Sequence, residues 1–313
     1  MKLSEIRKLT EAFSNMAENT PDLLSAMATA EKLGIQLDQV YQEMEMDDPY
    51  VNTHEDPGIY PGAVHLHSHG FYEVLYICSG NIQYLIGTDR YRLQPGDVIL
   101  VPPGVSHRPL LTEGQSETYR RYVLWLSNEF VQMIASFFPR EGFLCPSLLR
   151  TAGTKRNQIS RRFQTGIRET SNQKPGWKAA LYANTIELMV EFYRIVMDTN
   201  TQHPLSEEPQ LLDQILNYVE ENLSNRISLS ETARKFYVSE STISTIFRKE
   251  MGISFYRSVT QRRLIASKNL IVSGEPLENV AGKVGFSDYS AFYRAFKQEY
   301  GISPRQFREQ QTK

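Results

Sequence analysis

Phe247–Ser254 reads FRKEMGIS, and Phe296–Ser303 reads FKQEYGIS. Near-repetition at such a distance marks one supersecondary unit used twice. The same layout precedes each copy: a small residue (Ala233, Ala281), an apolar residue at a turn (Val238, Phe286), then a serine (Ser239, Ser287) placed to open a helix. A short helix, a tight turn and a second helix begun by a serine N-cap make a helix-turn-helix. In the first copy Ile243, Ile246 and Phe247 fall at i, i+3 and i+4 and form the inward stripe. In the second copy Phe292, Ala295 and Phe296 do the same.

Those stripes fix what faces outward. Ser241, Ser244, Thr245 and Arg248 take the outer face of the first copy; Tyr289, Ser290, Tyr293, Arg294 and Lys297 take that of the second. Paired helical hairpins of any kind carry apolar stripes, so the stripes alone decide little. Here the repeat extends through the turns, and no carboxylate lies on the outward faces beyond the first helical turn. Charge shifts with it: residues 209–313 hold 15 Lys+Arg against 11 Asp+Glu, whereas the rest hold 19 against 25. A basic third on an acidic body is the footprint of a module for double-stranded DNA. Two such units in tandem suit two successive turns of the major groove. Arg262, Arg263 and Lys268, on the helix expected between the units, read as phosphate contacts or solvated charges.

Residues 210–313 resemble the tandem helix-turn-helix domain of AraC/XylS-family transcription regulators. The resemblance runs from Leu211–Asn222 through ISLSETARKFYVSESTISTIFRKEMGISF to GFSDYSAFYRAFKQEYGISPRQFR. Gly285, Phe286, Phe292, Phe296, Gly301 and Pro304 make the last segment specific. It implies seven helices, with a connecting helix through Arg262–Leu270 that sets the separation of the two recognition helices.

The 313 residues, 41% hydrophobic, suffice for two or three domains. No apolar run reaches the ~20 residues of a membrane span, and the opening MKLSEIRKLTEAF lacks the apolar region of a signal peptide. Cys78 and Cys145 match no metal spacing and read as reduced, buried thiols of a cytoplasmic protein. Residues 1–45 read as short helices of an extension assigned to residues 1–50, and Asp47–Gly62 reads as an acidic loop. Residues 51–127 change to strand chemistry, with runs at Tyr72–Ile77, Ile82–Ile86, Tyr91–Leu93, Val98–Val101 and Tyr122–Leu126 between Gly- and Pro-bearing turns. Short strands so spaced predict a small barrel or jelly roll. Residues 128–200 return to helical periodicity, and residues 201–209 read as a linker. The fold class expected is α+β and multidomain: a cupin-like β-barrel with flanking helices, then an all-α tandem helix-turn-helix domain.

The strand region holds a second constellation: His67, His69 and Glu73, with His107 downstream. Side chains two apart on a strand share a face, and imidazoles with one carboxylate suit a divalent transition metal such as Zn, Fe, Mn or Ni. The pattern is similar to the two cupin motifs, which implies convergence inside the barrel, although Leu111 replaces the usual Asn and Gly62 sits one residue close. The resemblance to AraC-type regulators implies instead that the four residues line a pocket for a small organic effector or close the barrel. Both readings stand at this point. His54 and His203 read as loop residues, and His65 as facing the mouth or the opposite side.

Two functions compete. One is a ligand-responsive transcription regulator, most simply an activator, with a small molecule such as a sugar sensed in the barrel. The other is a metal-dependent cupin enzyme fused to a DNA-binding domain. No further acid or base is identifiable beside the motifs, and a sensor needs only binding, which favours the regulator. The family resemblance implies a homodimer formed through the helices of residues 128–200, with RNA polymerase as a further partner.

Overall fold

The computed structural model describes residues 44–56, 66–110, 119–138, 148–151, 153–198 and 210–311. The expectations for residues 1–43, the 201–209 linker, His65, Cys145 and His203 lie outside them.

Among the described residues, eight strands form two antiparallel sheets: β1 Val51–Asp56, β2 Tyr72–Ser79, β3 Ile82–Ile86, β4 Asp89–Leu93, β5 Asp97–Val101, β6 His107–Leu110, β7 Arg120–Leu126 and β8 Leu148–Arg150. The larger sheet has the order β1-β7-β2-β5-β8, the smaller β4-β3-β6. Apolar runs such as Tyr72–Ile77 show little polar alternation because both faces of the larger sheet are covered. Leu75, Ile77, Ile99, Val101, Val123 and Trp125 point between the sheets. Val74, Tyr76, Val98, Leu100, Tyr122 and Leu124 point outward, under three helices. These are α1 Asn128–Ala135, α2 Gly153–Asn172 and α3 Trp177–Asp198, whose Phe130, Phe163 and Phe192 complete that layer.

Three strands were not anticipated. β1 falls wholly within Asp47–Gly62, the stretch read as an acidic loop, and its Asn52, Thr53 and His54 are buried. Thr53 donates to Val123 O at 2.8 Å, and His54 stands edge-on to Trp125 rather than in a solvated loop. β6 contains Pro109 and lies at a sheet edge, where proline is tolerated. β8 comes from the span read as helical and pairs with β5.

Seven helices follow: α4 Leu211–Glu221, α5 Leu229–Lys235, α6 Glu240–Ile246, α7 Phe255–Val272, α8 Leu277–Lys283, α9 Tyr289–Tyr300 and α10 Pro304–Gln311. α6 runs on as a π-helical turn, Phe247–Met251, ended by Gly252 at φ 67°. Each unit has its own core. Ile243, Phe247 and Met251 pack with α4 and with Leu66, Leu85 and Leu110 of the barrel; Phe292, Phe296 and Phe307 pack with Leu264 and Ile271 of α7. No helix of the described residues is long and apolar enough to cross a membrane.

Candidate functional site

The two copies meet α6 and α9 through comparable turns. Val238 N–H donates to Ala233 O at 3.0 Å, and Phe286 N–H donates to Ala281 O at 2.9 Å. The turn residue before each has positive φ: Tyr237 at 56° and Gly285 at 86°. Ser239 caps α6 by accepting from Thr242 N–H at 3.1 Å. The corresponding cap of α9 is Asp288, which accepts from Ala291 N–H at 2.7 Å, and not Ser287. The second turn is one residue longer, so the repeat regains its spacing only at Asp288. The Asp288 carboxyl is held below its ordinary value, first by that amide and then by the Ser287 hydroxyl.

Ser241, Thr245 and Arg248 on α6, and Tyr289, Ser290, Arg294 and Lys297 on α9, are exposed; Ser244 and Tyr293 are half-buried. The expected outer faces therefore lie outward. The charges of α7 do not. Arg262 is fully buried, donating to Glu220 Oε2 at 2.8 Å and to Gly87 O of the barrel at 3.1 Å. Arg263 donates to Leu223 O and Asn225 O, and the Lys268 ammonium lies 4.9 Å from the centre of the Tyr300 ring. Helical spacing places residues on an axis, and contacts with neighbouring elements engage these three charges within the fold, Arg262 buried and Arg263 and Lys268 half-buried.

Sequence reading missed the contacts that join barrel and first unit. Arg90 of β4 donates from Nε to Asp213 Oδ1 at 2.6 Å and from Nη1 to Glu250 Oε2 at 2.5 Å. Its Nη2 reaches Asp213 Oδ2 at 3.0 Å and Gln210 Oε1 at 2.6 Å. Arg108 of β6 donates to Met251 O at 3.0 Å, and burial pushes its guanidinium down to about 10, leaving it charged at neutral pH. Arginines in strands β4 and β6 were the only signal, and nothing local names their partners.

Inside the barrel, His69, Glu73 and His107 converge, all buried. Strand pairing explains it: Glu73 faces inward opposite Trp125, whose indole donates to Glu73 Oε1 at 2.9 Å. Glu73 Oε2 lies 3.0 Å from His107 Nε2 and 3.7 Å from His69 Nε2. Burial, the largest influence, holds the His69 imidazole below its ordinary value. Burial also opposes charge on Glu73, but His107 and His69 together hold that carboxyl well below the usual range. His67 does not join them. It pairs with His107 through backbone bonds as an isolated bridge, so strand alternation does not carry it to the side of His69. It lines a cavity of about 10 Å3 with His54, Tyr84 and Arg121, room for about one water. A larger cleft, about 790 Å3, opens where Ser68, Phe71 and Asn128 face Asn269, Ser273 and Phe307, within the range that holds small organic ligands.

Residues 59–189 match the model of the AraC-like ligand binding domain, and residues 232–310 match a helix-turn-helix domain model. The chain belongs to the AraC family of transcription regulators. It is a ligand-sensing, DNA-binding protein of that family. It is 31% identical over 126 residues to the probable transcriptional regulator LumQ of Photobacterium leiognathi, covering 40% of this chain and 49% of that protein. It is 24% identical to the HTH-type transcriptional activator RhaS of Salmonella arizonae, covering 81% of this chain and 91% of that one. The arabinose operon regulatory protein of Salmonella typhimurium is 25% identical, covering 70% and 77%.

Proposed function

We propose that this AraC-family regulator is a cytoplasmic activator that binds double-stranded DNA as a homodimer and contacts RNA polymerase from the bound site. In this reading α6 and α9 enter successive major grooves. Ser241, Ser244, Thr245 and Arg248 face the first groove; Tyr289, Ser290, Tyr293, Arg294 and Lys297 face the second. One observation carries it: both outer faces present hydroxyl and cationic side chains to solvent, the second adding tyrosines, while Arg262 and Arg263 of α7 are engaged by Glu220, Gly87 O, Leu223 O and Asn225 O. Activation, and a sugar as effector, follow the printed names of the RhaS and arabinose-operon relatives. The effector sits in the cleft whose wall the barrel mouth forms, since the cavity beside Glu73 has space for about one water. Self-association is assigned to the α2–α3 layer.

Arg294 is the residue expected to specify sequence, because a guanidinium pairs bidentately with guanine O6 and N7. After operator selection with the full chain, Arg294→Ala costs about 1–3 kcal/mol and relaxes preference at one base pair, with Thr245→Ala costing less. Equal weakening on all sequences would make Arg294 a phosphate contact. Lys297→Ala lowers the salt slope by about one unit without changing base preference. Sedimentation with and without a carbohydrate library tests dimer and effector together.

A further inference from the structure

The three inward groups of the barrel present one ring nitrogen or carboxylate oxygen each to a common point. His69 Nδ1 lies 2.8 Å from Phe71 O, and His107 Nδ1 lies 3.0 Å from Val105 O. A carbonyl oxygen cannot donate, so each Nδ1–H donates to its carbonyl, and Nε2 is the ring nitrogen turned toward Glu73. Both Nε2 atoms are buried and make no hydrogen bond within the protein. The carboxylate cannot supply a donor either, and its other oxygen is already held by Trp125. Three possible ligand atoms from buried side chains thus face one another within 4.8 Å. Buried polar atoms left without a hydrogen bond cost free energy, and a cation bound among them would remove that cost.

The distances suit a metal ion. Bonds of ~2.1 Å to nitrogen and oxygen in a tetrahedral site separate ligands by about 3.4 Å. Two of the three separations, 3.0 Å and 3.7 Å, bracket that value, and all three atoms lie within 4.8 Å. Each ring is also oriented by a carbonyl and the carboxylate by an indole, which is the outer support that ligating groups require. We propose that His69, Glu73 and His107 bind one divalent transition-metal ion, with His67 outside the ligand set. Two imidazoles and one carboxylate select a first-row ion over Mg2+ or Ca2+. The cavity bounded by Glu73, His107 and His67 has room for a water as a further ligand.

The ligands are close to the joint with the DNA-binding unit. Arg108, next to His107, donates to Met251 O at the end of α6. His69 O accepts from Gly104 N–H at 2.8 Å, and Gly104 O faces Asn269 of α7 at 3.4 Å. An ion that fixes His69 and His107 therefore also stiffens one contact to the first helix-turn-helix and one to the connecting helix. The proposal does not depend on the DNA or effector assignments.

The test uses the purified full chain without an affinity tag. Elemental analysis, or titration of chelator-stripped protein with Zn2+ and Co2+, is expected to give one equivalent per chain. Co2+ should show the visible bands of a low-symmetry N/O site. At 100 times the dissociation constant the ion should raise Tm by about 5–10 °C and slow amide exchange at Met251 and Gly252. Glu73→Gln keeps the shape and the Trp125 contact; it should fold, yet lose the Co2+ spectrum and the Tm response. His67→Gln should keep both. Wild type that takes up no ion and shows no Tm response, or Glu73→Gln that binds as tightly as wild type, overturns the proposal. Loss of the ion in His67→Gln overturns the three-ligand assignment.

Discussion

The two helix-turn-helix units share a plan and differ in what holds them. The first rests against the barrel: Arg90 spans Asp213 and Glu250, Arg108 takes Met251 O, and Leu66, Leu85 and Leu110 enter its core. The second is held by the connecting helix, through the Arg257–Glu299 ion pair, the Gln261–Glu299 hydrogen bond and the packing of Phe292 and Phe296 on Leu264. The first recognition helix ends in a π-turn, and π-helical turns are found often at functional sites; the second runs as a regular α-helix to Gly301. Duplication preserved the architecture and left the units open to different controls. A change in the barrel reaches α6 by direct contact, and α9 through α7.

The comparison breaks hardest at the turns. Gly285 has φ 86°, and a Cβ there would lie 2.0 Å from Leu223 O. Gly285→Ala is expected to destabilise by about 3–5 kcal/mol, read from denaturant midpoints, because backbone strain and a backbone clash add. A loss under 1 kcal/mol would show that the second turn relaxes as the first does. Next comes the clamp. Arg90→Ala strips the guanidinium from two partly buried carboxylates and is expected to cost about 1–3 kcal/mol. Amide exchange should accelerate at Asp213 and Met251 while the amides of α9 stay unchanged. Acceleration in both units alike would refute separate control.

The smaller effects sharpen the contrast. Tyr237 occupies the position equivalent to Gly285 with φ 56° and is 96% exposed. An exposed tyrosine has no packing to offset that strain, so Tyr237→Gly should stabilise by about 0.5–1 kcal/mol, seen as a higher Tm. The caps differ in titration. The Asp288 carboxyl has a depressed folded value, set first by the Ala291 amide. Its contribution is complete above the unfolded value of about 4 and is lost as pH falls through the folded one. Ser239 does not titrate. Exchange at Ala291 should therefore accelerate on acidification, with Thr242 unaffected by any cap titration.

The helical third was legible because its pattern is local. Stripes, caps and glycine ends recur within a dozen residues, and the repeat supplied a second reading of each. The error at Ser287 arose where that copy breaks, at the longer turn. In the barrel the apolar strands stood out, but β1 did not: Asn52, Thr53 and His54 look like loop residues, and only cover by β7 and α2 buries them. The His–Glu group was legible as residue types, and its membership was not. Separating His67 from His69 requires knowing that the chain between them is not a regular strand. Arg90 and Arg108 were silent for the same reason, since their partners lie more than a hundred residues away.

The leucines shared between barrel and first unit bear on how the protein can be divided. Leu66, Leu85 and Leu110 cover Leu212, Ile215 and Phe255 as part of one continuous core. A fragment cut out at residues 210–313 would carry that surface bare, with Asp213, Glu220 and Glu250 stripped of their arginine partners from the barrel or left beside one that has lost Gly87 O. Its solubility would suffer before its helices did. Replacing the uncovered leucine and isoleucine with polar residues is therefore the natural route to a well-behaved isolated DNA-binding unit.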